Sequence, residues 1–213
     1  MYQKLKRRVN RWRFKVSVRR LEKSKFCIVA NNCFGSRFYK ILNREYNTPF
    51  IGVFILPECF VKLVANFEYY IGLEMKFEEN SKYDYINKLR RNHDEDYPLG
   101  LLGDVEINFL HYKTKEEAIE KWNRRKSRMD WDQLHFIMIA NGPCDEDRMV
   151  EFIQNEPQNK VCFHKQKYFK ASGCVYIPSE IEDMGNLYSQ YHRFVGRFDF
   201  ADWISNLNDK DEI

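Results

Sequence analysis

A chain of 213 residues with 44% hydrophobic and 16% aromatic side chains can bury one sizeable core, which excludes a disordered chain. No stretch approaches the roughly 20 apolar residues that span a bilayer, and no apolar signal core stands near the start, so secretion by that route is not expected. The net charge of +4 is unevenly spread: residues 1–25 carry eleven Lys or Arg and one acid, Glu22, giving +10, whereas the rest carries 24 bases and 30 acids, giving −6. The basic character belongs to an arm, and the mildly acidic body argues against a globular nucleic-acid-binding domain.

The arm has helical spacing. Tyr2, Leu5, Val9, Trp12 and Val16 recur at steps of three and four and form one stripe, with Arg7, Arg8, Arg11, Arg19 and Arg20 around it. Such a helix suits an anionic membrane surface; the alternatives are a helix packed on its own domain or a partner, and, less favoured, a nucleic-acid contact. The division expected is a basic helical arm at 1–24 and one domain at 25–213.

From Phe26 the elements alternate. Phe26–Ala30 reads as a buried strand that turns polar at Asn31 and Asn32, presents Cys33, and enters a helix near Ser36–Asn43 through Gly35. Phe50–Ile55 reads as strand two, Pro57 opens an apolar helix to about Tyr70, and Leu73–Phe77 suits a short third strand. Residues 78–96 form a charged excursion with a short helix at Tyr83–Arg91. After turns at Pro98, Gly100 and Gly103 comes the strand Val105–Leu110. Thr114 and Glu117 make a capping-box start for a helix to about Arg128. Leu134–Ile139 is a strand ended by Asn141-Gly142-Pro143, Asp145 starts a helix ending near Gln154, and Lys160–Phe163 is the next strand. Cys174–Ile177 and a helix around Ala201–Asn206 complete the chain. Alternation of this kind predicts an α/β fold: a mainly parallel sheet with helices on both faces, Rossmann-like and three-layered, behind an N-terminal basic amphipathic helix.

Six cysteines without a Cys-x-x-Cys pair give no zinc ribbon and suit reduced thiols, with Cys27, Cys59 and Cys162 as small core residues. In a parallel sheet the loops after the strands gather at one edge, which would bring Asn31, Asn32, Cys33, His111, Tyr112, Asn141 and His164 together. The candidates for chemistry are His111 as general base and Cys33 as nucleophile, the thiol ionising more easily at a helix start. Asn31, Asn32, Ser36, Tyr112 and Asn141 would hold hydroxyl groups, and Arg125 and Arg128 would grip phosphate. The same basic segment also reads as a dipole-complementing helix end, with Glu117–Lys121 and Glu120–Arg124 as i,i+4 pairs. Neither a Walker loop nor Gly-x-Gly-x-x-Gly is present, and neither the Asp94-Glu95-Asp96 run, the acids Asp145, Glu146 and Asp147, nor the Cys162-Phe163-His164 pair makes a metal motif, so no cofactor beyond a nucleotide-sugar donor is expected and no metal ligand is assigned.

Several segments in order carry a family resemblance. They are Asn31-Asn32-Cys33-Phe34-Gly35-Ser36, Thr48-Pro49-Phe50, Tyr97-Pro98-Leu99-Gly100, Phe109-Leu110-His111-Tyr112, Trp122-Asn123-Arg124-Arg125 with Arg128, and Asn159-Lys160-Val161. A fainter echo follows at Phe198-Asp199-Phe200 and Trp203. On these the chain resembles, over about residues 25–165, a bacterial family of exopolysaccharide or capsular polysaccharide biosynthesis proteins whose domain is of unknown function. That family usually has Gly-Gly where Gly35-Ser36 stands here. The resemblance implies work on a surface polysaccharide at the cytoplasmic side, and carries over no catalytic residues. The expected function is a peripheral transferase acting on a sugar or sugar nucleotide at the inner face of the cell membrane, its arm meeting an anionic membrane surface or a lipid-linked sugar. The alternatives are a Cys33-dependent acyltransferase or hydrolase of decorated sugars, and a non-enzymatic sugar-binding or assembly protein.

Overall fold

The computed structural model describes residues 2–92, 97–140, 144–178 and 188–208. Its centre is a four-stranded parallel sheet of β1 (Cys27–Ala30), β5 (Leu134–Ile139), β6 (Lys160–His164) and β7 (Cys174–Tyr176), side by side in that order. Register pairs Val29 with Phe136, Met138 with Cys162, and Phe163 with Val175. These strands are apolar at nearly every position because both faces are covered.

Alternate residues feed two cores. Cys27, Val29, Phe136, Met138 and Cys162 point to one side and meet α3 (Pro57–Ala65), α4 (Phe67–Gly72), α6 (Lys115–Lys126) and α7 (Glu146–Gln154). Ile28, Ala30, Ile137, Ile139, Val161 and Phe163 point to the other and meet α1 (Tyr2–Arg19), α2 (Ser36–Leu42), the turn Tyr191–Phe194 and α8 (Phe200–Asn208). This is the three-layer α/β arrangement expected. Cys27, Cys59 and Cys162 are buried core residues.

Three expectations need correction. The strand Val105–Leu110 does not join the parallel sheet: β4 (Val105–Asn108) pairs antiparallel with β3 (Leu99–Leu102), which pairs with β2 (Lys76–Glu78) in a separate sheet. Phe50–Ile55 forms no strand, because Pro49 cannot donate and Gly52 turns to φ 75°; it keeps a single bridge, Phe54 to Asn108. The helix expected from Pro57 to Tyr70 breaks at Asn66 (φ −132°), giving α3 and α4.

Helix starts follow their caps. Thr114 Oγ1 accepts from the Glu117 N–H (3.1 Å), and Asp145 Oδ1 from the Arg148 N–H (2.9 Å). In the charged excursion, β2 precedes α5 (Asp84–Asn92). Its acidic run Asp94-Glu95-Asp96 lies outside the described residues.

The arm packs on the body. Phe14 and Val18 of α1 are buried, with the Phe14 ring 5.0 Å from Tyr191 and 5.9 Å from Phe200. Arg20 closes the contact through ion pairs to Asp199 (2.9 Å) and Asp202. The predicted stripe Tyr2, Leu5, Val9, Trp12 and Val16 is not the packed face; all five side chains are exposed.

Candidate functional site

The corner after β1 is built on Asn31, which is fully buried. Its side-chain oxygen accepts from the Ile139 N–H (2.9 Å), and its amide donates to the carbonyls of Ile139 (3.1 Å) and Ile55 (3.4 Å). Its own carbonyl accepts from the Ile55 N–H (2.8 Å). Asn31 thus bolts β1, β5 and the 50–55 segment together. Asn32, also buried, accepts from the Phe34 N–H (3.0 Å) and caps the 3-10 turn Cys33–Gly35. Both amides face inward and are used by the fold.

Above this corner opens a cleft of ≈ 540 Å³. Cys33, Ser36, His111, Tyr112 and Arg125 share its wall, so one nucleophile candidate, one base and one guanidinium meet although 92 residues separate Cys33 from Arg125 in sequence. The meeting does not come from a common sheet edge. The bridge between Phe54 and Asn108 carries the end of β4 against the 50–55 segment, which Asn31 already holds to β1. Gly52 then sits beneath His111: the His111 N–H donates to its carbonyl (3.2 Å), and a Cβ there would lie 3.1 Å from the Tyr112 ring and 3.2 Å from His111 Cβ. Only glycine combines that approach with φ 75°.

Charge is the cleft's clearest property. Arg125 projects from α6 on the side of buried Trp122, and is itself only 9% exposed. Its Nη1 donates to the Tyr112 hydroxyl and to the Ile51 carbonyl (3.4 Å), and its guanidinium lies 5.1 Å from the Tyr46 ring centre. No acid among the described residues pairs with it. Lys40 and Lys121 line the same cleft, with Lys40 donating to the Tyr188 hydroxyl (2.9 Å) and Lys121 paired to Glu117 (2.6 Å). No Asp or Glu stands among the lining residues. Tyr46, Tyr112 and Tyr188 add aromatic surface.

The Cys33 thiol lies 4.0 Å from the Val53 carbonyl. Burial pushes its pKa up, against smaller opposing pulls from Lys40 and the Gly52 backbone. That is the reverse of the easier ionisation expected of a thiol at a helix start: α2 is only seven residues long, and Ser36 Oγ spends its proton on the Cys33 carbonyl (2.8 Å). Burial likewise raises the Tyr112 phenol, with Arg125 pulling the other way.

Other candidates lie elsewhere. Arg128 pairs with Glu45 and is not on the cleft wall, and Arg124 pairs with Glu120 (2.7 Å), the i,i+4 pair expected. His164 is fully buried, 5.2 Å from the Phe169 ring. Asn141 lies outside the described residues. Among the described residues no three His, Cys, Asp or Glu side chains gather as a metal would need. Lys40, Tyr46, Gly52 and Tyr188 carry no expectation from sequence, and Lys121 carries only that of its ion pair with Glu117. Spacing marks two of them, since Lys40 is one turn from Ser36 on α2 and Lys121 one turn from Arg125 on α6.

Comparison with known proteins places this architecture in a family. The profile of a domain of unknown function (DUF1919) matches residues 4–205, arm included. An uncharacterized protein of Haemophilus influenzae is 27% identical over 215 residues, covering 96% of this chain and 98% of the other.

Proposed function

The chain belongs to the DUF1919 family, and we propose that it is a transferase that takes a sugar nucleotide, or another phosphorylated sugar, in the Cys33–Arg125 cleft and works in the making of a surface polysaccharide. The observation that carries this reading is the buried Arg125 guanidinium. A buried cation is costly without an anion, and its partners here are neutral. An arginine held flat by a phenol and a carbonyl still offers free N–H groups, and a phosphate or diphosphate would satisfy them. Lys40 adds a second cation, and the tyrosines offer faces for a sugar ring or base.

In the reaction proposed, an acceptor hydroxyl oxygen attacks the anomeric carbon while its proton passes to the His111 imidazole. The bond from that carbon to the phosphate oxygen breaks, and Arg125 and Lys40 take up the charge left on the phosphate. Ser36 and Tyr112 line the same wall. The polysaccharide setting is drawn from the resemblance, and three of its segments converge here: the corner 31–36, the turn at Leu110-His111-Tyr112, and Arg125.

The test is release of free nucleotide from a panel of nucleotide sugars with a sugar acceptor present. The wild-type chain should turn over at least one donor, and His111→Ala should slow it by about 10²–10⁴-fold. Binding without turnover across the panel would move the reading to a sugar-binding or assembly protein. An unchanged rate in His111→Ala would remove the base.

A further inference from the structure

We propose that α1 is an interfacial membrane anchor: its exposed apolar stripe seats in the surface of a bilayer rich in anionic phospholipid, and the basic recess beside it holds a lipid headgroup phosphate. This stands apart from the cleft and does not depend on it.

Three observations carry the proposal. The first is that α1 has two apolar faces. Phe14 and Val18 are buried at 3% and 0% exposure, whereas Tyr2, Leu5 and Trp12 are 76%, 61% and 64% exposed. At about 3.6 residues per turn the mean directions of the two sets differ by roughly 180°. The helix is therefore already docked by one face, and the other, with Val9 and Val16, has no protein covering it among the described residues.

The second observation is charge placement. Arg8, Lys15 and Arg19 flank the stripe on one side, and Lys6 and Arg13 on the other. None of them pairs with an acid among the described residues; Arg20, which does, is committed to Asp199 and Asp202. Cations flanking an aliphatic and tryptophan stripe match a bilayer with anionic headgroups, where the stripe enters the acyl boundary and the cations meet phosphates. A protein partner of this mildly acidic body's own kind would satisfy the cations but not so many exposed apolar side chains without a groove to receive them.

The third observation is a recess of ≈ 460 Å³ at the start of α1. Lys6 and Arg7 of the helix face Arg193 of the turn that holds it and Arg197 just beyond that turn, with His192 in the wall. His192 is 9% exposed, and its Nδ1 is buried without a hydrogen-bond partner. Burial first, and then the nearby charges of Arg11, Arg193 and Arg7, push its pKa down to about 4. Lys6 belongs both to this recess and to the rim of the stripe, and Tyr2 of the stripe lines the recess, so a headgroup held there places its chains beside Tyr2.

Sedimentation of the full chain with vesicles tests this. Vesicles of phosphatidylcholine containing phosphatidylglycerol should carry the protein down, pure phosphatidylcholine should not, and raised salt should weaken the binding. Leu5→Ala/Trp12→Ala changes two exposed side chains, so the fold should stand by circular dichroism, and affinity for the anionic vesicles should fall at least about tenfold. Lys6→Gln/Arg197→Gln should weaken it independently, by about five- to thirtyfold. No binding to anionic vesicles would overturn the proposal. So would equal binding by Leu5→Ala/Trp12→Ala, which would mean charge alone, or a wild-type dimer that this variant makes monomeric, which would mean a second copy covers the stripe.

Discussion

Arg125 and Tyr112 form a relay on neutral ground: the guanidinium donates to the phenol, and the phenol donates to the Ile51 carbonyl at 2.5 Å. The pair holds a buried positive charge in a fixed direction without neutralising it. That leaves the cleft electrically unfinished, which the anionic ligand proposed for it would complete. Replacing Tyr112 by Phe removes the relay but keeps the ring beneath Lys121 and Arg125. Affinity for a phosphorylated ligand should fall about 10- to 100-fold, the worth of one hydrogen bond to a charged group, as read by calorimetric titration.

Gly52 fixes the geometry of the same wall. Gly52→Ala must hold φ 75° and push against Tyr112 and His111. The change should destabilise the fold by about 1–3 kcal/mol in urea unfolding and weaken ligand binding in the fraction that remains folded.

Asn31 separates a structural role from a ligand role. Asn31→Ala strands the Ile139 N–H and two carbonyls in a site without water access. Unfolding free energy should drop by about 2–4 kcal/mol. The Asn31 carbonyl still accepts from the Ile55 N–H in this variant, which keeps the 50–55 segment on β1, so the affinity of the folded variant at low temperature should change little.

The Cys33 thiol has its pKa raised by burial, so it should alkylate slowly with iodoacetamide near neutral pH, with the rate still climbing above the ordinary thiol range. Cys33→Ser should keep most of the turnover proposed for His111. Abolished turnover in that variant would favour the cysteine-dependent acyl chemistry instead.

Acid should loosen the contact between α1 and the body. His192 is held neutral down to about pH 4 by burial and by Arg11, Arg193 and Arg7, whereas an unfolded histidine takes its proton near 6.5. The unfolded chain therefore binds the extra proton between those values. Stability should be complete above about pH 6.5 and fall as pH drops toward 4. Burial lowers the buried His135 and His164 as well, which adds to the same slope. His192→Phe, which keeps an apolar ring in the turn, should flatten part of that fall in thermal melts across the range.

The parallel sheet was legible from sequence because β1, β5 and β6 are short apolar runs bounded by polar turns, and a strand buried on both faces reads that way. The ends of α6 and α7 were legible because Thr114 and Asp145 are capping residues used as caps. The antiparallel sheet was not. Val105–Asn108 is as buried as any central strand, and burial does not state which neighbour a strand pairs with. The amphipathic stripe of α1 was visible, but its direction was not: Phe14 and Val18 make a narrower apolar face, and only tertiary contact with Tyr191 and Phe200 chooses between the two. In the cleft, Cys33, Ser36, His111, Tyr112 and Arg125 are legible from loop positions and helix spacing. Their actual meeting depends on Asn31 and Gly52, two residues whose roles lie in backbone geometry.

The cleft is proposed as an anion site that its ligand completes through Arg125. Calorimetric titration of the full chain with uridine diphosphate, and with inorganic pyrophosphate as a minimal probe, tests it most directly. The wild-type chain should bind, and Arg125→Gln, checked for folding by circular dichroism, should lose affinity by about 30-fold or more, with Arg125→Lys recovering only part of it. Absence of binding by the wild-type chain, or equal binding by a folded Arg125→Gln, would mean that the cleft is not an anion site built on Arg125.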